Sequence, residues 1–188
     1  MLIPMPESQP AIFLDRDGTL MREVNYCRRP EDVELYEGAR EAIQAFREMG
    51  YKIVVVSNQS GIGRGMISLE EYEAVNAEFL RQIGPGLVDA VYFCPDVPES
   101  ASQRRKPAPG MLQEAARDLK LDLSLSWTIG DKASDIAAGV NAGTRTVLVQ
   151  TGYGLQQIGV PADIIAEDLA AALQGVRAFR PSGEVSAA

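Results

Sequence analysis

Two carboxylates one residue apart, Asp15 and Asp17, follow the apolar run AIFL (11–14) and precede Gly18 and Thr19. In extended backbone, residues i and i+2 point the same way, so both acids can face one small target. Adjacent carboxylates repel and one tends to keep a proton, while a cation beside the other keeps that one ionised. One residue type can thus supply a nucleophile and an acid. The competing reading is a plain Asp-Gly turn. Asp131, in GDK (130–132), would add a third carboxylate if its strand lay beside the first. The result would be an all-oxygen cation site suited to Mg²⁺. The alternative is a helix cap at Asp131 or Asp135, and Asp135 is the better cap of the two.

Two further clusters carry groups that suit phosphate. Ser57 and the amides after it are short donors at a strand-to-helix turn, or simply a cap. Lys106 and Arg105, in RRKP (104–107), can neutralise an anion, and arginine can grip it with two bonds; the bland reading is a solvated basic loop. GIGRG (61–65) follows a strand, but its third glycine falls one place early for a dinucleotide fingerprint. A tight loop that aims Arg64 at substrate fits it better.

The composition narrows the chemistry. The chain of 188 residues has no histidine, so a Ser-His-Asp triad, a Cys-His pair and a histidine-ligated metal are excluded. Carboxylates must move any protons. A net charge of −8 argues against nucleic acid or an anionic membrane as partner. Cys27 and Cys94 form no CxxC or zinc spacing and read as reduced thiols of a cytoplasmic chain. The start, MLIPMPESQP, lacks the pattern of a signal peptide, and no apolar stretch is long enough to span a bilayer.

The elements that must position these residues alternate. AIFL (11–14), KIVVVS (52–57), AVYFC (90–94), WTIG (127–130) and TVLV (146–149) read as strands buried on both faces, with a weak sixth at 163–166. Ala39, Ala42, Ile43, Phe46 and Met49 mark one helical face that Gly50 stops. Ser68 and Glu71 form a capping box ahead of a helix that buries Leu69, Tyr72, Val75, Phe79 and Ile83. Helices are also expected over 110–119, 134–142 and 168–179. Strands alternating with helices predict an α/β fold of three layers with a mainly parallel sheet and right-handed crossovers. One domain is expected over residues 1–180, with a disordered tail at 181–188. In such sheets ligands bind beyond the carboxyl ends of the strands, where the four clusters fall.

With these motifs in this order, the chain resembles the haloacid dehalogenase (HAD) superfamily of phosphotransferases. DRDGTL, VVVSN, RRKPAPGM and IGDKASD match its four motifs, and the likeness covers roughly residues 11 to 152. FLDRDGTL, SNQSGIGRG, RKPAPGM and GDKASDIAAG are similar to the D-glycero-D-manno-heptose 1,7-bisphosphate phosphatases, which act in making heptose precursors of lipopolysaccharide. Histidinol-phosphate phosphatases are close relatives of that group. The resemblance implies a Mg²⁺-dependent sugar bisphosphate phosphatase with a Rossmann-like fold and no large cap domain. Asp15 would be the nucleophile, and Asp17 the general acid and then base. Ser57 and Lys106 would steady the phosphoryl group. Mg²⁺ would be held by the Asp15 side chain, the Asp17 carbonyl and Asp131. Substrate contacts are implied at Glu23, Val24, Asn25, Tyr26, Asn58, Gln59, Ser60, Arg105 and Lys132, beside Arg64.

Alternatives are a phosphatase for histidinol phosphate or another small phosphomonoester, and, in a different class, a non-catalytic phosphosugar-binding module. The intact Asp15/Asp17 pair argues against the last. The family's zinc loop is altered: Cys94 remains, but Asp96 holds the histidine position, and Ser102 and Arg104 hold those of the later cysteines. One thiolate cannot hold a structural zinc, so none is expected. The partner is expected to be a small phosphorylated sugar and the protein a monomer. Specificity is assigned to the flap 20–36, the glycine loop 61–67 and the loop 95–105.

Overall fold

The computed structural model describes residues 8–179. Six parallel strands form one sheet in the order β3-β2-β1-β4-β5-β6: β1 (Ala11–Leu14), β2 (Lys52–Asn58), β3 (Ala90–Cys94), β4 (Trp127–Gly130), β5 (Arg145–Val149) and β6 (Ile164–Ala166). Six helices connect or flank them: α1 (Ala39–Glu48), α2 (Ser60–Gly63), α3 (Leu69–Ile83), α4 (Gly110–Leu119), α5 (Ala133–Ala142) and α6 (Leu169–Ala178). The expected boundaries hold within a residue or so. The short helix α2 occupies ground assigned to a loop. The disordered tail expected at 181–188 lies outside the described residues, and none of the described helices is long and apolar enough to cross a membrane.

The alternation of side chains along β1 separates the molecule into layers. Ile12 and Leu14 join Ile53, Val55, Ile129, Val147 and Val149 in a core closed by Phe46 of α1, Phe79 of α3 and Leu173 of α6. Ala11 and Phe13 join Val54 and Val56 in a second core on the other face, closed by Met111 and Leu112 of α4 and Ala138 of α5. A strand buried on both faces has no polar side to show, which is why these runs lack an in–out alternation of polarity. Truncating Phe46 or Phe79 to alanine removes about 3–5 kcal/mol from such a core.

Local signals fix the helices. Ser68 Oγ accepts from the Glu71 amide at 3.0 Å and the Glu71 carboxylate accepts from the Ser68 amide at 2.7 Å, so the capping box forms. Asp168 caps α6 by accepting from the Ala171 amide at 2.8 Å. Gly139 lets α5 press onto the sheet, because a Cβ there would collide with Thr128 and Thr146.

The chain leaves β1 toward β2 and β3 on one side and returns to place β4 on the other. The strand order therefore reverses between β1 and β4, and the carboxyl ends of these two strands open a crevice. Leu14 pairs with Ile129, and the Asp15 amide donates to the Ile129 carbonyl at 3.0 Å. The residues after both strands thus emerge side by side. The flap over this edge is pinned at its base: Leu20 and Met21 are buried, Met21 bridges to Leu35, and the Tyr36 amide donates to the Leu20 carbonyl at 3.0 Å.

Candidate active site

A cavity of about 330 Å³ lies beyond the β1–β4 crevice. Its lining includes Asp15, Asp17, Ser57, Lys106, Lys132 and Asp135 from the strand ends, and Glu23, Val24, Asn25 and Tyr26 from the flap. Asn58, Gln59 and Ser60 complete the wall beside β2. Tyr26 keeps its backbone in the left-handed region (φ 55°) at the turn of the flap.

Lys106 is the centre of the charge arrangement. The residue is 3 % exposed, and its ammonium donates to Asp15 Oδ1 at 2.7 Å and to the Val56 carbonyl at 2.8 Å, and lies 2.7 Å from Asp135 Oδ1. The backbone that carries it is tied to β2: the Lys106 amide donates to Asn58 Oδ1 at 3.1 Å, and Asn58 Nδ2 returns a bond to the Lys106 carbonyl at 3.0 Å. The position of the ammonium is thus set by both ends of its residue.

Asp131 is fully buried beneath the cavity floor. One of its oxygens, Oδ2, accepts from the Tyr153 amide at 2.8 Å; the other, Oδ1, is buried with no partner. Gly18 and Gly152 lie directly against this carboxylate, and a Cβ on either would collide with Oδ2. A buried carboxylate oxygen without a donor is costly, and a cation is the partner such an oxygen accepts.

Asp15, Asp131 and Asp135 bring carboxylate oxygens within 4.8 Å of one another, all three buried. One ammonium, Lys106, pairs directly with this group. When ionised, the three carboxylates exceed that one directly paired ammonium even with Lys132 acting on Asp15 and Asp131 through space, an excess that a divalent cation would offset. Burial, opposed by Lys106 and aided by Asp135 and Asp131, pushes the Asp15 carboxyl up to about 8. Burial and Asp135 push Asp131 up to about 6. The proton that Asp15 keeps at neutral pH is the one an ion would displace.

The donor set fits Mg²⁺, which takes oxygen ligands. Asp15 and Asp131 would contribute side chains. The Asp17 carbonyl is also available, because the bridge between Asp17 and Met21 uses the Arg16 carbonyl and the Gly18 amide instead.

Asp17 has the opposite surroundings. Burial alone would raise its carboxyl, but Arg16 overcomes this with its charge and its hydrogen bonds, and Gln59 adds a further donor, so the group is held below its ordinary value. Arg16 donates from Nε to Oδ2 and from Nη2 to Oδ1, each at 3.1 Å. Gln59 Nε2 donates to Asp17 Oδ2 at 2.8 Å and to Ser57 Oγ at 2.7 Å.

The structure brings together most of the residues singled out from the sequence, and leaves two apart. Arg64 is exposed and its guanidinium lies 3.9 Å from Glu99; Arg105 donates to the Asp96 carbonyl at 2.9 Å. Neither lines the cavity. Both sit on the loops flanking it, Arg64 in a long ion pair and Arg105 in a hydrogen bond to its own loop. Lys132 faces the cavity, bound to Glu23 at 3.0 Å with its ammonium 4.8 Å from the centre of the Tyr153 ring.

Two residues escaped sequence reasoning. Asp135 does cap α5, accepting from the Lys132 amide at 2.9 Å, and its other oxygen holds Lys106. Gly130 makes room for it, since a Cβ there would strike the Asp135 carboxylate. That glycine ahead of the acidic motif was the available signal. Arg16, 1 % exposed, gave none beyond its place between two acids.

At the altered zinc-loop positions, Cys94 Sγ donates to Asp96 Oδ2 at 3.4 Å and lies 3.8 Å from Ser102 Oγ. Arg104 turns its side chain to Glu114 at 2.9 Å. Cys27 and Cys94 are both free and buried.

Comparison with known proteins agrees with this site. The model of the HAD-hydrolase-like family matches residues 103–172, from the lysine loop past the acidic motif. A D-glycero-D-manno-heptose-1,7-bisphosphate 7-phosphatase of Thermosynechococcus vestitus is 42% identical over 89% of this chain and 95% of its own. The D-glycero-beta-D-manno-heptose-1,7-bisphosphate 7-phosphatase of Yersinia pestis is 36% identical over 93% and 98%. The crystal structure of a D,D-heptose 1,7-bisphosphate phosphatase from B. bronchiseptica, complexed with magnesium and phosphate, superposes with a TM-score of 0.83 at 31% identity, covering 89% of this chain and 98% of that one. Similarity at this level, extending over nearly the whole length of both partners, means that the chain belongs to the heptose-bisphosphate phosphatase family of HAD-like hydrolases.

Proposed function

We propose that the protein is a Mg²⁺-dependent cytoplasmic phosphatase that removes the 7-phosphate of D-glycero-D-manno-heptose 1,7-bisphosphate through an aspartyl-phosphate on Asp15. The observation that carries this reading is the charge imbalance at the crevice: three buried carboxylates held against one ammonium, with Asp15 opening onto the cavity. A site for uncharged ligands would have no use for it.

Asp15 attacks phosphorus in line, and the bond to the sugar oxygen breaks as the bond to Asp15 forms. Asp17 gives that oxygen a proton, then takes one from the water that hydrolyses the acyl phosphate. Lys106 stands beside Asp15 and offsets charge on the phosphoryl oxygens, while Ser57 donates to the same group. A bound Mg²⁺ would supply further charge neutralisation there. Glu23, Asn25, Tyr26, Asn58, Ser60 and Lys132 surround the space left for the sugar.

The test compares turnover of heptose 1,7-bisphosphate, histidinol phosphate and hexose bisphosphates with and without a chelator. Preference for the heptose, abolished by chelation, is expected. Preference for histidinol phosphate would overturn the substrate, and turnover that survives complete removal of divalent ions would overturn the mechanism.

A further inference from the structure

We propose that Arg16 is a positioning residue that docks the Asp17 carboxylate for the second half of the reaction, the attack of water on the acyl phosphate. The proposal rests on the aspartyl-phosphate reading above. An arginine that is 1 % exposed needs a reason, since burial of a guanidinium is costly unless it is paired. Its fork meets Asp17 with two parallel bonds of 3.1 Å, which fix the plane of the carboxylate as well as its place. Its remaining nitrogen, Nη1, is buried with no partner, so the guanidinium serves Asp17 and no wider network.

The platform behind it is rigid. Arg16 lies over the ring of Tyr72 at 5.4 Å, and that ring packs on Phe93 at 4.3 Å. The hydroxyl of Tyr72 is itself without a partner, so the ring face is what α3 contributes.

The side-chain hydrogen bonds to Asp17 come from donors alone: the fork of Arg16, Gln59 Nε2 at 2.8 Å and Ser57 Oγ at 3.4 Å. A cage of this kind, in which only the Ser57 hydroxyl could also accept, suits a carboxylate about to take a proton better than a carboxylic acid. In the first half-reaction the carboxyl must leave this cage to protonate the sugar oxygen. In the second it sits in the cage and takes one proton from water. The water oxygen then bonds to phosphorus as the phosphorus–Asp15 bond breaks, Asp15 departs as a carboxylate, and inorganic phosphate is released. Loss of the fork should therefore slow breakdown of the acyl phosphate more than its formation.

The experiment uses 4-nitrophenyl phosphate with Mg²⁺ in rapid-mixing and steady-state assays. Arg16→Met is expected to lower kcat by about 10²-fold, as misplacement of a reacting group does. KM should fall in parallel, and a burst of nitrophenol approaching one equivalent should precede the slow phase. Arg16→Lys, which keeps the charge and loses the fork, should show the same burst with a smaller fall. If Arg16→Met does not fold, Tyr72→Leu removes the platform without touching the cavity and should move the same quantities in the same direction.

An unchanged kcat, or a fall in kcat with KM unchanged and no burst, would overturn the role of Arg16. So would a deficit that grows as the leaving group becomes poorer, which marks the first half-reaction. Turnover by Asp15→Asn at the unaltered rate would instead overturn the acyl-phosphate reading on which the inference stands.

Discussion

The two aspartates that follow β1 are two residues apart and live in opposite electrostatic surroundings. Asp15 shares one ammonium with Asp135 and lies beside a third buried acid, Asp131, and its carboxyl is pushed up to about 8. Asp17 takes two bonds from a guanidinium and one from the Gln59 amide, and is held low. The fold thus makes two different reagents from one residue type by where it puts the positive charge. The residue read as the nucleophile is the one that lacks compensation. On the proposed mechanism that deficit would make the reaction depend on an added cation, since Asp15 must be ionised to attack.

Several experiments can break or sharpen this contrast. The largest effect is expected for Asp15→Asn, which should lower phosphate release by about 10³-fold or more, as removal of a covalent nucleophile does; an unaltered rate ends the assignment. Asp17→Asn should cost about 10²- to 10⁴-fold, in the range of a lost acid–base group, and less with a good leaving group than with an alkyl phosphate. Equal losses across leaving groups would remove Asp17 from the first step.

Lys106→Met separates charge balance from catalysis. It should lower turnover by about 10²- to 10³-fold through lost stabilisation of the phosphoryl oxygens. By deleting the ammonium that offsets the acids, it should also tighten Mg²⁺ binding measured by calorimetry. Weaker binding in this variant would show that the lysine organises the carboxylates more than it neutralises them.

The smallest effect is a pH dependence. Asp15 holds its proton more tightly in the folded protein, up to about 8, than at its ordinary value of 3.8. In that window the native state binds more protons than the unfolded chain, so stability of the cation-free protein should fall as pH rises from about 4 to about 8. Asp131, pushed up to about 6, adds to the lower part of the window. Mg²⁺ needs the ionised carboxylates, so its stabilising shift in melting temperature should grow over the same range. A shift that stays flat would mean that the acids are already ionised without the ion.

Much of this was legible in the sequence, and the rest was hidden for identifiable reasons. The strands announced themselves because runs such as KIVVVS have no polar side, and Ser68 and Glu71 declared the start of α3. The acids at the ends of β1 and β4 could be placed together once the strands were, because the topology of alternating elements leaves few sheet orders. Asp135 was harder. Its cap is a local pattern, but its bond to Lys106 spans 29 residues and depends on the loop that delivers the lysine. Arg16 was harder still, since arginine is a surface residue by habit and only a folded α3 supplies the ring it lies on. Arg64 was placed by its glycine loop and Arg105 by its charge and the resemblance, and none of these says which way a loop turns.

The reciprocal amide pair between Asn58 and Lys106 has a consequence for how such an enzyme can change its tastes. Because the lysine is riveted to the tip of a central strand, the stretch from 95 to 105 hangs from that rivet and does not have to carry it. A lineage, or an engineer, can swap that stretch for one of another length or with another fastening while the phosphate-handling machinery keeps its alignment. The hydrogen-bonded knot of Cys94, Asp96 and Ser102 is one such fastening.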